Sequence, residues 1–185
     1  MDALTGKFLI AMPGMGDPRF DRSVILLCEH SEDGALGLIV NKPLLDLTEN
    51  ELFTQLSLES PAAAKDGAPI YFGGPVDPSR GFVVHGADYG SDTTLQVAEG
   101  VAMTATLQVL QDIAEGSGPA KRRIMLGYSG WGPGQLEAEL QQNGWLAADP
   151  SAALIFAAEP DAAWAGALES LGINPLLLSE AGGRA

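Results

Sequence analysis

Cys28, Glu29 and His30 stand side by side in a chain of 185 residues. They are the first residues whose types could do chemistry. On an extended strand, Cys28 and His30 would share one face and Glu29 would take the other. A thiolate next to an imidazole is a nucleophile and its base. With His85 added, the same groups would make a nitrogen and sulfur set for Zn²⁺. The spacing argues for something plainer, because the sequence has neither CxxC nor HxxxH. A small buried hydrophobe beside a hydrogen-bonded histidine at a strand end accounts for the triplet as well. No catalytic residue, no metal set and no cofactor is assigned from it.

Gly127-Tyr128-Ser129-Gly130-Trp131 is the second candidate. It follows an apolar run and precedes a helical pattern, where a nucleophile elbow would sit. That pattern needs a glycine where Trp131 stands, and both histidines precede the serine, so a hydrolase of that scaffold is rejected. Gly130-Trp131-Gly132-Pro133-Gly134 then reads as a glycine-rich loop opening a helix. Its free amides could hold an anion. Glu137 and Glu139 already lie near that helix end, and glycines are also what a tight turn needs. The third candidate is a set of polar residues on expected loops and strand ends: Asp17, Arg19, Asn41, Arg80 and His85. With His30 they are the candidate ligand-binding residues if they converge. The plainer alternative has Asp17 and Arg19 capping turns and Arg80 pairing with Asp77.

Charge restricts the partners. The chain has 24 acidic and 10 basic residues, a net charge of −14. Gripping duplex DNA takes cations that displace counterions from the phosphates. An excess of carboxylates this large disfavours direct nucleic-acid binding and anionic membranes, and favours basic or neutral protein partners. The densest basic run, Lys121-Arg122-Arg123, is expected to be a solvated strand entrance. The single cysteine excludes an intrachain disulfide and suits a reducing compartment. No apolar run reaches the ~20 residues of a membrane span. The first residues lack a basic region and an apolar core of a signal peptide. The expected location is the cytoplasm.

These residues must be positioned by a mixture of strands and helices in one domain over 1–185. Strands are expected at Lys7–Met12, Ser23–Glu29 and Ala35–Asn41, the last two as a hairpin. Further strands are expected at Ile70–Phe72, Phe82–His85, Thr94–Val97, Val101–Thr104, Ile124–Tyr128 and Ala153–Ala157. Thr48 with Glu51 forms a capping box for a helix burying Leu52, Phe53 and Leu56. Thr106 opens a second helix. A third covers Gln135–Gln142. A last one runs from Asp161 to Leu171, with Gly172 as its stop. Pro13 to Pro18 and Ser60 to Pro69 read as turn and linker. The order of elements is not a regular βαβ alternation, so the class is α+β.

Several blocks follow one another in a fixed order: Gly6-Lys7-Phe8-Leu9-Ile10-Ala11-Met12-Pro13, Cys28-Glu29-His30, Asn41-Lys42-Pro43, Gly73-Gly74-Pro75-Val76, Arg80-Gly81-Phe82-Val83-Val84-His85 and Leu126-Gly127-Tyr128-Ser129-Gly130-Trp131. The ordered set spans about residues 4–172, and together these blocks resemble the YqgE/AlgH family. The resemblance implies a bifurcated mixed β-sheet curled into a pseudo-barrel with flanking helices. It implies no established catalytic residues. Some members are named as transcriptional regulators, notably of alginate synthesis.

The expected function is therefore a non-catalytic regulatory or protein-interaction domain that acts on transcription indirectly, through protein partners. The alternative is a small-ligand binder or enzyme with a site near Cys28, His30, Arg19, Arg80 and His85. Homo-oligomerisation is compatible with either.

Overall fold

A computed structural model describes residues 4–13, 17–58, 68–156 and 159–176. Residues 14–16 of the expected turn, most of the 60–69 linker and the end of the chain lie outside them. The fold is mixed α+β: ten strands in one largely antiparallel sheet, with five helices among the described residues. The strands are β1 (Phe8–Ala11), β2 (Val24–Ser31), β3 (Gly34–Ile39), β4 (Pro43–Thr48), β5 (Pro69–Phe72), β6 (Val76–His85), β7 (Leu95–Ala98), β8 (Val101–Thr104), β9 (Arg122–Trp131) and β10 (Trp145–Ala148). The helices are α1 (Glu49–Gln55), α2 (Leu107–Glu115), α3 (Gln135–Gln141), α4 (Ala152–Phe156) and α5 (Pro160–Glu169). No described helix is long and apolar enough to cross a membrane.

The main path through the sheet is β10-β1-β2-β3-β9-β6-β8-β7, and β9 carries a branch of β5 and β4. Closing a sheet into a barrel needs a ladder between its first and last strands. No such ladder joins β10 to β7 among the described residues, so the sheet stays open. The sheet curled into a pseudo-barrel that the resemblance implies is not formed.

β2 is apolar without alternation because both its faces are covered. Val24, Leu26 and Cys28 enter one cluster with Phe8, Ile10, Val84 and the α5 residues Trp164 and Leu168. Ile25 and Leu27 enter a second with Leu9, Trp131, Trp145 and the α3 residue Leu136. A third cluster packs Leu52 and Phe53 of α1 and Val109, Leu110 and Ile113 of α2 against Ile70, Val83 and Ile124.

β9 is the hub. Its Met125 and Leu126 pair in parallel with β5 while the same residues pair antiparallel with β6, so β5 and β6 lie on opposite edges. The link between them, Gly73-Gly74-Pro75, crosses β9 at backbone contact. A Cβ at Gly74 would lie 2.1 Å from the carbonyl carbon of Tyr128, and one at Gly127 would lie 2.3 Å from the carbonyl oxygen of Gly74. Gly74 and Gly127 also hold φ of +155° and +79°, backbone that other residues resist.

Several expectations need correction. Ala153–Phe156 is helical rather than a strand, because Ala152–Phe156 forms α4 against the first cluster. β4 and β10 were not expected. β4 begins at Pro43 and leaves Leu45 99% exposed, the profile of an edge strand, while its Leu44 and Leu47 pack against the third cluster. The capping box on Thr48 and Glu51 forms as expected, but Leu56, expected to be buried, is exposed at the end of α1. Most important for the site, Ser129–Trp131 is not loop. It continues β9 and pairs with Gly37, Leu36 and Ala35 of β3.

Candidate functional site

The structure does not bring the six candidate residues together. A bulge decides the fate of Cys28 and His30. Leu27 pairs with Gly37 and Glu29 with Leu36, which leaves Cys28 as the extra residue on β2. The bulge resets the alternation. Cys28 packs in the first cluster, while His30 pairs with Ala35, which packs on the second. The expectation that both side chains share a face is therefore wrong. The Cys28 thiol is buried, and burial pushes its pKa up to about 12, with the Glu29 carboxylate adding to the rise. His30 is buried, with Nε2 2.8 Å from Oε2 of Glu137 on α3. Its Nδ1 has no hydrogen-bond partner among the described residues. The bond from His30 holds the Glu137 carboxyl below its ordinary range.

His85 and Asn41 are built into the scaffold. His85 is fully buried, with Nδ1 2.8 Å from the carbonyl of Gly86 and Nε2 2.8 Å from Oγ1 of Thr104. Both ring nitrogens are used. Asn41 accepts from the Val24 amide at 2.9 Å and donates to the carbonyls of Arg22 and Pro160. It ties β2 to the turn before it and to the start of α5. Arg80 is exposed and lies over the ring of Phe82 at 5.0 Å. A guanidinium on an aromatic face is a cation–π contact, and it stands where pairing with Asp77 was expected.

The basic run behaves differently from a solvated face. Arg122 donates to the Glu49 carboxylate at 2.9 Å, with both side chains buried. Arg123 donates to the carbonyls of Ile155 and Phe156 and to the Tyr71 hydroxyl. These two guanidinium groups stitch β9 to α1, β5 and α4. They are committed to the fold.

Asp17 and Arg19 do line a cavity. Asp17 caps the short 3-10 turn Pro18–Phe20, accepting from the Arg19 amide at 3.0 Å and from its guanidinium at 2.8 Å. Those bonds hold Asp17 below the usual carboxylate range. The cavity measures about 640 Å³, and its other walls come from Trp131, Trp145, Gln135 and Glu139. Glu139 is a hub that sequence reasoning missed. Its Oε1 accepts the indole N–H of Trp131 at 3.0 Å and of Trp145 at 2.9 Å, and its Oε2 accepts from Gln135 at 2.9 Å. Gln135 in turn accepts from the Gly132 amide, where a bound anion had been considered. Phe20 and Trp145, and Trp145 and Trp131, meet edge to face at 5.7 and 5.9 Å.

A second, shallower depression of about 690 Å³ lies across β9. Its walls include Leu36 and Tyr128, which pack on the first cluster, with Glu29, Asp33 and His30 at one end. Val76, Gly130 and Trp131 line both depressions. The two hollows therefore meet at the end of β9. No group of three or more His, Cys, Asp or Glu among the described residues has the arrangement to hold a metal ion.

The family model described as AlgH-like matches residues 8–176. The chain belongs to the AlgH-like family. Curated relatives in that family are similar end to end. A UPF0301 protein of Ruegeria pomeroyi is 58% identical, covering 98% of this chain and 99% of its own. One from Paracoccus denitrificans is 50% identical, covering 98% and 97%. Among solved structures, the solution structure of the AlgH protein from Pseudomonas aeruginosa matches with a TM-score of 0.79 at 43% identity, over 95% of this chain and 93% of that one. A Corynebacterium diphtheriae protein at 24% identity shares the fold, with a TM-score of 0.75 over 97% and 92%. None of these names states a reaction.

Proposed function

We propose that this protein is a non-catalytic interaction module of the cytoplasm, acting on transcription through a protein partner rather than on DNA. The observation that carries this reading is the commitment of Cys28 and His85 to the fold. The Cys28 thiol is buried with its pKa raised to about 12, and both nitrogens of His85 are bonded within the fold. A thiolate–imidazole nucleophile needs both groups within reach of a substrate, and Cys28 and His85 are both buried.

Charge supports the choice of partner. Of the ten basic residues, Arg122 and Arg123 are spent inside the fold and Arg19 is paired with Asp17. What remains is a poor grip for a phosphate backbone. The open hollows at the end of β9 are the place for a protein partner.

The test is a photo-crosslinking amino acid placed at Val76, an exposed position lining both hollows. Irradiated cells should yield a discrete adduct that protease destroys and nuclease leaves intact. A nuclease-sensitive adduct, or tight duplex-DNA binding by the purified protein at about 0.15 M salt, would overturn the reading.

A further inference from the structure

The last three residues of β9 have a paired strand on one side only among the described residues, with a hollow on either face; Gly130 is exposed, while Ser129 and Trp131 are buried. Ser129, Gly130 and Trp131 pair with β3 alone among the described residues, because the β6 ladder ends at Val76 opposite Tyr128. The next residue of that ladder would be Pro75, which has no N–H to donate. The chain there turns away over β9 through Gly73-Gly74. β6 also bows outward: Val76 pairs with Tyr128 and Gly81 with Leu126, so Asp77–Arg80 leave the ladder. Gly130, at the middle of the open stretch, is exposed.

We infer that this edge takes an additional strand from a partner: an extended, basic peptide segment that pairs with Ser129–Trp131 and sends its side chains alternately into the two hollows. The inference rests on the protein-interaction reading above. Successive side chains of a strand point to opposite faces. An added strand would therefore place one set against the wall of Trp131, Trp145 and Phe20, and the other against Leu36 and Tyr128. Main-chain bonds supply affinity in this mode and the flanking hollows supply selectivity.

The charge of the walls selects the sign of the segment. Asp17 and Glu139 line the first hollow, and Glu29 and Asp33 the second. Against these four carboxylates stands Arg19, whose guanidinium is already paired with Asp17. Lysine and arginine side chains entering the hollows meet this excess, and an acidic segment is repelled. The net charge of −14 draws a basic partner from a distance.

The experiment is selection of displayed random peptides on the full-length protein, followed by titration of the enriched peptides against Gly130→Lys and Gly130→Ala. The position accepts a side chain: a Cβ there would lie 3.4 Å from the Tyr128 ring and 3.9 Å from Val76. Enriched peptides should be rich in Lys or Arg. Gly130→Lys should weaken them about tenfold or more, Gly130→Ala much less, and N-methylation of alternate peptide amides should abolish binding. Enriched peptides that ignore Gly130→Lys overturn the edge proposal and leave the interaction reading standing. No enrichment overturns both. A dimer of this chain that Gly130→Lys dissociates would show that a second copy, not a partner peptide, occupies the edge.

Discussion

Cys28 and His30, two residues apart on β2, face opposite sides of the sheet. The bulge at Cys28 sends the thiol into the cluster under α5 and the imidazole toward Glu137 on α3. A pair that looks like a nucleophile and its base in sequence is separated by the strand itself. The thiol should therefore be inert. At pH 8, far below the raised pKa of about 12, native protein should not react with a thiol reagent, whereas denaturant-unfolded protein should react fully. Rapid, stoichiometric labelling of the native state would contradict the burial.

The His30–Glu137 bond gives a pH dependence of definite sign. Glu137 is depressed below its ordinary value of 4.5 by that bond. A depressed carboxylate contributes stability that is complete above the ordinary value and fades as pH falls through the lower, folded one. Replacing His30 by alanine should let the Glu137 carboxyl titrate nearer its ordinary value. Carbon-detected NMR titration of the two proteins reads this directly, and an unchanged Glu137 midpoint would show that the bond is absent in solution.

Glu139 holds two tryptophans at once. Glu139→Ala leaves two largely buried indole N–H groups without their acceptor, which should cost about 2–4 kcal/mol. Glu139→Gln keeps one oxygen and should cost less. Urea unfolding measures the cost, and tryptophan emission should shift to the red in the alanine variant. Equal, small effects for both would remove Glu139 from the account of the cavity.

The strand crossing predicts a sharp contrast among glycines. Gly74→Ala meets the Tyr128 backbone and an unfavourable φ, and should cost about 2–4 kcal/mol. Gly81→Ala meets nothing within 4 Å and should change stability by about 0.5 kcal/mol or less. Denaturant midpoints decide between them. A tolerated Gly74→Ala would mean that the link does not cross β9 at backbone contact.

Local signals carried well from sequence to structure. Thr48 with Glu51, the β2–β3 hairpin, and Gly172 past the end of α5 are short-range features, and short-range physics sets them. Features that depend on distant chain did not show. The Gly130-Trp131 stretch reads as loop because glycine is a poor strand former, yet β3 recruits it from a hundred residues away. Arg122 reads as a solvated cation until Glu49 is brought beside it. Ala152–Phe156 is apolar and short, and periodicity cannot separate strand from helix over so few residues. The site suffered most, because its open edge is defined by where the β6 ladder stops, and nothing near Ser129 in the sequence says so.

Amide hydrogen exchange, read residue by residue with and without a selected basic peptide, tests the central claim most directly. Slowed exchange concentrated within Ser129–Trp131, with changes at the walls around Arg19 and Asp33, is the expected result. Protection confined to another part of the molecule, with Ser129–Trp131 unchanged at saturation, would contradict it.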